Sequence, residues 1–328
     1  MHLRKVQEMG GATLLVSLPK EWVRSSSLKK GGIVSIENSG DGGLLIYPAG
    51  DGSRTEKEIM IEYPSRFGAA GLSNEITGAY LLGYDLINVQ GAYRIASKDR
   101  DAIISSIKGL IGLEVVEENA QNITCQFLVD NTAVEPSKIF RRISSIVRAM
   151  ISDSVKQLSS GEPTEFEPVG QRDDEVDRLH FLVVRVIRSA IREPRAAAKF
   201  GLSTIDCLDY RVAASLLETA GDYAVELSNA IADLGQVDRE VRNQLARVNE
   251  TLDLILDGAL RSFIGKDYTT ARGVLANCKE FEATLSNFRT SNESQSNFAG
   301  LLHLADIFER IAHCERDIAD LVAPMRPA

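Results

Sequence analysis

The stretch LLETAGDYAVELSNAI, residues 216–231, has a copy 91 residues further on, IFERIAHCERDIADLV, residues 307–322. In that register Glu218 falls on Glu309, Glu226 on Asp317 and Leu227 on Ile318. The match is faint, but acidic and apolar positions coincide together, as they do in repeated helical units. The residues around both copies keep a helical rhythm. Ile139, Ile143, Ile146 and Met150 step by 4, 3 and 4, and Val176, Leu179, Val183, Val186 and Ala190 by 3, 4, 3 and 4. Val241, Leu245, Val248, Leu252, Ile255 and Ala259 continue the pattern. Each series lays one apolar seam along a helix, which is what a bundle requires. Breaks at 161–170, Glu193–Pro194, Gly235, Gly265 and 290–296 cut 135–325 into six helices. They group three and three, as repeats of about 135–234 and 237–323.

Ahead of the helices, residues 55–130 alternate. Glu58–Tyr63, Leu86–Gln90, Leu113–Glu118 and Asn122–Val129 read as strands, and Ser73–Leu82 and Lys98–Gly109 as helices. This is a small α/β unit with no legible chemistry.

Residues 1–50 read as β. Strand-like runs at Arg4–Met9, Thr13–Ser17, Ile33–Asn38 and Leu44–Tyr47 are punctuated by Gly10-Gly11, Gly31-Gly32 and Ser39-Gly40-Asp41-Gly42-Gly43. Pro19 halts the second run, and a short turn around Lys20, Glu21 and the single Trp, Trp22, follows. Four short strands bury little core, so this segment needs a partner to complete one. Its six basic residues outnumber its four acidic ones, which makes it +2 on a chain whose net charge is −9. One locally basic end on an acidic body marks the place where an anion could be met.

The whole chain has 328 residues, 44% hydrophobic and 25% charged, the balance of a globular protein. No apolar run approaches the ~20 residues that span a bilayer. The densest apolar patch, Phe181–Ile187, is interrupted by Arg185. Nothing after Met1–Lys5 resembles a secretion signal. Cys125, Cys207, Cys278 and Cys314 are widely separated, so a reduced cytoplasm is expected rather than a disulfide framework.

Two acidic stripes are the chief candidates for chemistry. Glu218, Asp222 and Glu226 are spaced by four, along one helix face. In the copy, Asp306, Glu309, His313, Asp317 and Asp320 step by 3, 4, 4 and 3, beside an apolar seam of Leu304, Ile307, Ile311, Cys314 and Ile318. Glu309 lies two residues, about 200°, from Ile307, so the stripe faces away from the core. A solvated charged face is one reading. The other starts from the repulsion of like charges at i, i+4, roughly 0.2–0.5 kcal/mol a pair, which a shared cation would offset. Asp173, Asp174 and Asp177 form a third acidic cluster. His180 and His303 read as packing or surface residues. No Gly-rich stretch fits a phosphate-binding fingerprint, and no Ser/His/Asp or Cys/His arrangement is present, so an enzyme is not expected.

RKVQEMGGATLLVSLPKEWVRSSSLKKGGIVSIENSGDGGLLIYP, residues 4–48, resembles the AbrB/SpoVT swapped-hairpin DNA-binding family. The likeness runs from a basic first strand through Ser-Leu-Pro-Lys, a short helical turn at Glu21–Arg24, and Leu-Lys-Lys-Gly-Gly. It implies that two chains interleave into one β-barrel, a homodimer. It also implies that Arg4, Lys5, Lys20, Arg24, Lys29 and Lys30 meet double-stranded DNA. Their physical role would be phosphate neutralisation. The helical part resembles PhoU, the phosphate-uptake regulator family, through its six helices in two repeats, DDEVDRL at 173–179 and the pair Glu218/Asp222. Some members of that family bind metal ions at such pairs on the bundle surface. The resemblance therefore implies a metal at Glu218, Asp222, Glu309 and His313, with Asp177 and Asp317 as further ligands. Oxygen ligands suit magnesium, manganese or iron, and His313, which stands where the family has Asp, tilts the second pair toward iron or zinc.

The combination resembles archaeal phosphate-uptake regulators. The expected architecture is multidomain α+β: a swapped-hairpin barrel domain over 1–50, an α/β unit over 55–130 and a PhoU-like pair of three-helix bundles over 135–325. The expected function is a cytoplasmic DNA-binding transcriptional regulator of phosphate uptake. The rival is a PhoU-type adaptor that contacts the ATPase of a phosphate ABC transporter, its barrel serving only to dimerise. Neither reading inserts into a membrane.

Overall fold

The computed structural model describes residues 3–11, 13–38, 42–48, 56–66, 68–130, 133–160 and 169–322. The turn expected at Ser39–Asp41, the break at 161–168 and the junction at 49–55 lie outside the described residues. Two compact units are present, Met1–Glu56 and Lys57–Ala328.

In the first unit, β1 (Gln7–Met9) pairs antiparallel with β2 (Thr13–Leu15), with Glu8 opposite Leu14. Gly10 and Gly11 follow β1 at φ of +67° and +83°, a region where glycine carries no Cβ penalty. Pro19, fixed at φ −61°, stops the extended chain and stands at the N-cap of α1 (Lys20–Ser25). β3 (Val34–Asn38) and β4 (Leu44–Pro48) form a second antiparallel pair, Ile36 opposite Ile46. The two hairpins remain separate two-stranded sheets, and no closed barrel forms among the described residues. None of the described residues of this unit is buried. Leu14 is 68%, Ile33 72% and Ile36 58% exposed.

The second unit begins with a four-stranded sheet of order β5-β6-β8-β7, built from β5 (Glu58–Tyr63), β6 (Leu86–Gly91), β7 (Leu113–Glu118) and β8 (Asn122–Phe127). β5 and β6 run parallel, and the other pairs are antiparallel. Ile61, Tyr63, Ile87, Val89, Ile123, Cys125 and Phe127 are buried at every second position, which gives the sheet one apolar face. α2 (Gly68–Leu81) and α3 (Ser97–Lys108) pack against it with Leu72, Ile76, Ile103 and Ile107. α2 starts five residues before its expected first residue, because Leu72 is a core residue and Ala69 and Ala70 favour a helix.

Among the described residues the helical body has six long helices: α4 (Pro136–Ser160), α5 (Val169–Arg192), α7 (Thr204–Leu234), α8 (Arg239–Gly265), α9 (Tyr268–Ser291) and α10 (Phe298–Asp320). A short extra helix, α6 (Pro194–Lys199), was not expected from the periodicity. Pro194 at its start both ends α5 and sets the φ of a new first turn. Among the described residues three starts are capped by side chains. Ser203 and Asp206 form a capping box on α7, Asp238 accepts from the Val241 N–H of α8, and Asp267 accepts from the Thr269 and Thr270 N–H groups of α9. α4, α5 and α7 pack together, as do α8, α9 and α10, and the triplets join through α7 with α10 and α4 with α8. Arg148 of α4 reinforces the second junction with Nε 2.6 Å from Asp253 Oδ1 and Nη1 2.9 Å from Asp257 Oδ1.

Sheet and bundle form one unit because α5 grips the end of α2. Arg185 is fully buried. Its Nη1 donates to the carbonyls of Tyr80 (2.6 Å) and Tyr84 (2.9 Å), its Nη2 lies 3.4 Å from Asp85 Oδ1, and its guanidinium lies 3.7 Å over the Phe127 ring. Arg188 and Arg192, one and two turns on, donate to the carbonyls of Leu81 and Leu82. Three cations thus meet the negative end of the α2 dipole.

Candidate functional site

Arg4, Lys5, Lys20, Arg24, Lys29 and Lys30 of the first unit are all exposed. Arg4 and Lys5 lie on the extended segment before β1. Lys20 and Arg24, four apart, share one face of α1, and Lys29 and Lys30 follow in the next turn. Among the described residues, none of the six pairs with a carboxylate, so their charge is available to an external anion. Trp22 and Val23 of α1 are half-buried. The Ser25 hydroxyl donates to the Trp22 carbonyl and tightens the last turn.

In the helical body the first acidic stripe of α7 meets the acidic start of α5. A Cβ on Gly221 would stand 3.3 Å from Asp173 Oδ1 and 3.2 Å from Val176 Cγ1. Glycine therefore lets Asp173 lie against α7, one residue from Asp222. Burial pushes the Asp173 carboxyl up to about 6, helped by the charges of Asp177, Asp222, Asp174 and Glu218. Burial, then Asp222 and Asp174, raises Asp177. Burial, then Asp222 and Asp177, raises Glu218, with the field of Arg211 acting against it. Among the described residues no cation pairs with these carboxylates, and Asp173 Oδ1 is buried without a hydrogen-bond partner. Nor do any three His, Cys, Asp or Glu side chains among the described residues stand close enough together to hold a metal ion.

The second stripe is arranged differently. Nη2 of Arg289, near the end of α9, lies 2.5 Å from Glu309 Oε2 and 3.0 Å from Asp306 Oδ1. His313 and Asp317 are exposed. Glu226, the third member of the first stripe, is taken by Arg310 of α10 at 2.5 Å, with His303 3.8 Å away.

His180 is a packing residue: buried, beside Phe181, and held down to about 4 by burial and the charge of Arg211. Reading the sequence missed Glu315, which is 1% exposed. Burial pushes it up to about 8, against the attraction of Arg148. The signal was available. Glu315 falls four residues after Ile311 and three before Ile318, on the apolar seam.

The PhoU domain family matches residues 140–231, which spans most of α4, α5 and α7. The MazE family, described as antidote-toxin recognition and bacterial antitoxin, matches residues 9–54. The chain therefore carries a PhoU domain behind an N-terminal MazE/AbrB-like domain. No curated protein matches it.

Proposed function

We infer that this chain is a DNA-binding transcriptional regulator of phosphate uptake. A PhoU domain points to regulation of phosphate homeostasis, and a MazE/AbrB-like domain to DNA or protein binding. What favours DNA is one observation: the first unit carries six exposed basic side chains, none paired with a carboxylate among the described residues, on a chain whose net charge is −9. Fixed positive charge on one small unit supplies the counterion-release energy that drives duplex binding.

The same reading makes the first unit half of a dimeric barrel. No described residue of its hairpins is buried, so a second copy is the natural source of a core. The body would receive the signal. The PhoU resemblance implies a metal ion there, and the first-repeat carboxylates fit one chemically. They offer only oxygen donors, they repel one another, and Asp173 Oδ1 has no donor facing it. Asp173, Asp177, Glu218 and Asp222 would have to draw closer than they stand to hold it. A bound divalent ion would supply the positive charge that these carboxylates lack.

The adaptor reading, with the barrel serving only to dimerise, is supported by Ile205, Leu208 and Val212, exposed on one face of α7. Chromatin capture of the tagged full-length protein from phosphate-rich and phosphate-poor cells separates the two. Enrichment at discrete sites that changes with phosphate supports the regulator. Absence of enrichment under both conditions overturns it.

A further inference from the structure

The two acidic stripes occupy matched positions, 91 residues apart, yet their charge is balanced in opposite ways. In the first repeat, α5 turns Asp173 and Asp177 toward Glu218 and Asp222 of α7, and the carboxyl groups raise one another's proton affinity. Among the described residues no cationic side chain pairs with them. In the second repeat, α9 turns a guanidinium toward α10 instead. Arg289 Nη2 stands 2.5 Å from Glu309 Oε2, where Glu309 is the counterpart of Glu218, and 3.0 Å from Asp306 Oδ1. The hydrogen bond to Glu309 holds the Arg289 proton more tightly than usual.

We propose that Arg289 is the built-in cation of the second repeat, standing where a metal ion would otherwise bridge the stripe, so that this repeat does not take metal. The chemistry supports this. A guanidinium keeps its charge across the whole physiological pH range, and its N–H groups occupy the carboxylate lone pairs that a metal ion would need. Its positive charge also repels an approaching cation. His313, the one borderline-metal ligand of the stripe, is left exposed with a single imidazole and no gathered partners. The second half of the body is thus held shut by a covalently supplied charge, whatever the metal supply, while any response to metal is confined to the first half. The asymmetry rests on reading the stripes as matched positions. It does not require the first repeat to bind metal.

Equilibrium dialysis of the full chain against MnCl₂ and ZnCl₂ tests it. Glu309→Gln and His313→Ala should leave the metal content of the otherwise intact chain unchanged. Arg289→Met should gain about one further equivalent of Zn²⁺, because Asp306 and Glu309, no longer held by the guanidinium, are then free to be drawn together with His313 around the ion. Adding Glu309→Gln to Arg289→Met should remove that gain. A fall in metal content in either Glu309→Gln or His313→Ala would overturn the proposal, as would a folded Arg289→Met variant that gains no metal. The first-repeat reading fails separately, if Asp177→Asn/Asp222→Asn leaves metal content unchanged.

Discussion

Replacing Arg185 with Met should loosen the sheet from the bundle. The stem of Arg185 is replaced by a chain of similar volume, so the packing term is small. What is lost is the guanidinium: its bonds to the Tyr80 and Tyr84 carbonyls at 2.6 and 2.9 Å, its contact with Asp85 at 3.4 Å, and its seat on the Phe127 ring at 3.7 Å. Asp85 is 8% exposed, so it stays buried without this cation. Removing one partner of a buried pair costs about 3–5 kcal/mol. Asp85 keeps a hydrogen bond from the Lys57 N–H at 3.0 Å, and Arg188 and Arg192 still reach α2, which places the loss at the lower end, about 3 kcal/mol. Arg185→Lys keeps the charge but not the fork, and should fall between Met and the parent. Urea unfolding of the full chain, followed by far-UV circular dichroism and by native-state hydrogen exchange of β5, β6 and β8, reads both effects. The sheet should exchange at a lower free energy than the bundle in the variant. A loss below 1 kcal/mol, with sheet and bundle still exchanging together, would refute the latch.

Two further outcomes follow from the same geometry. His180 is held near 4 in the folded chain, below its ordinary 6.5, so the unfolded chain binds more protons between those values. Stability is then fully present above about pH 6.5 and falls as pH drops toward 4, by up to about 1.4 kcal/mol per pH unit. His180→Leu should flatten that part of the profile in urea titrations, and an unchanged acid limb would rule out the assignment. Ile33→Asp with Ile36→Asp should turn a dimer into a monomer, because each exposed side chain offers roughly 1.5–3 kcal/mol on burial against a second copy. Sedimentation at micromolar concentration reads this directly, and a monomeric parent would defeat the paired barrel.

Much of this fold was legible in the sequence, and the exceptions have physical causes. Seams such as Ile139–Met150 and Val241–Ala259 gave the long helices, because a 3.6-residue period repeated over several turns has no competing reading. The first strands were found within two or three residues, since Gly10, Gly11 and Pro19 mark their ends. The first unit leaves apolar residues such as Leu14 and Ile33 exposed and its two hairpins as separate sheets, so the barrel that the resemblance implies is not seen within one chain. Arg185 showed in sequence only as an interruption of an apolar patch. Its partners lie about a hundred residues away, so a buried latch could not be told from a surface charge. The acidic stripe of α10 could be read, but its neutralisation by Arg289 depends on how α9 and α10 pack. The meeting of Asp173 with α7 depends likewise on Gly221, a position that looks unremarkable in the linear pattern.

The measurement that bears most directly on the regulator reading is fluorescence anisotropy of the full chain on duplex DNA across a salt series. Binding should weaken steeply as salt rises, with a log–log slope of about −0.9 for each phosphate neutralised. Changing Lys29 and Lys30 together to Ala should weaken binding across sequences and shallow that slope by up to about two. Deleting residues 1–50 should abolish binding. A salt-independent affinity, or a double variant that matches the parent at every salt concentration, would contradict the assignment of this basic surface to DNA.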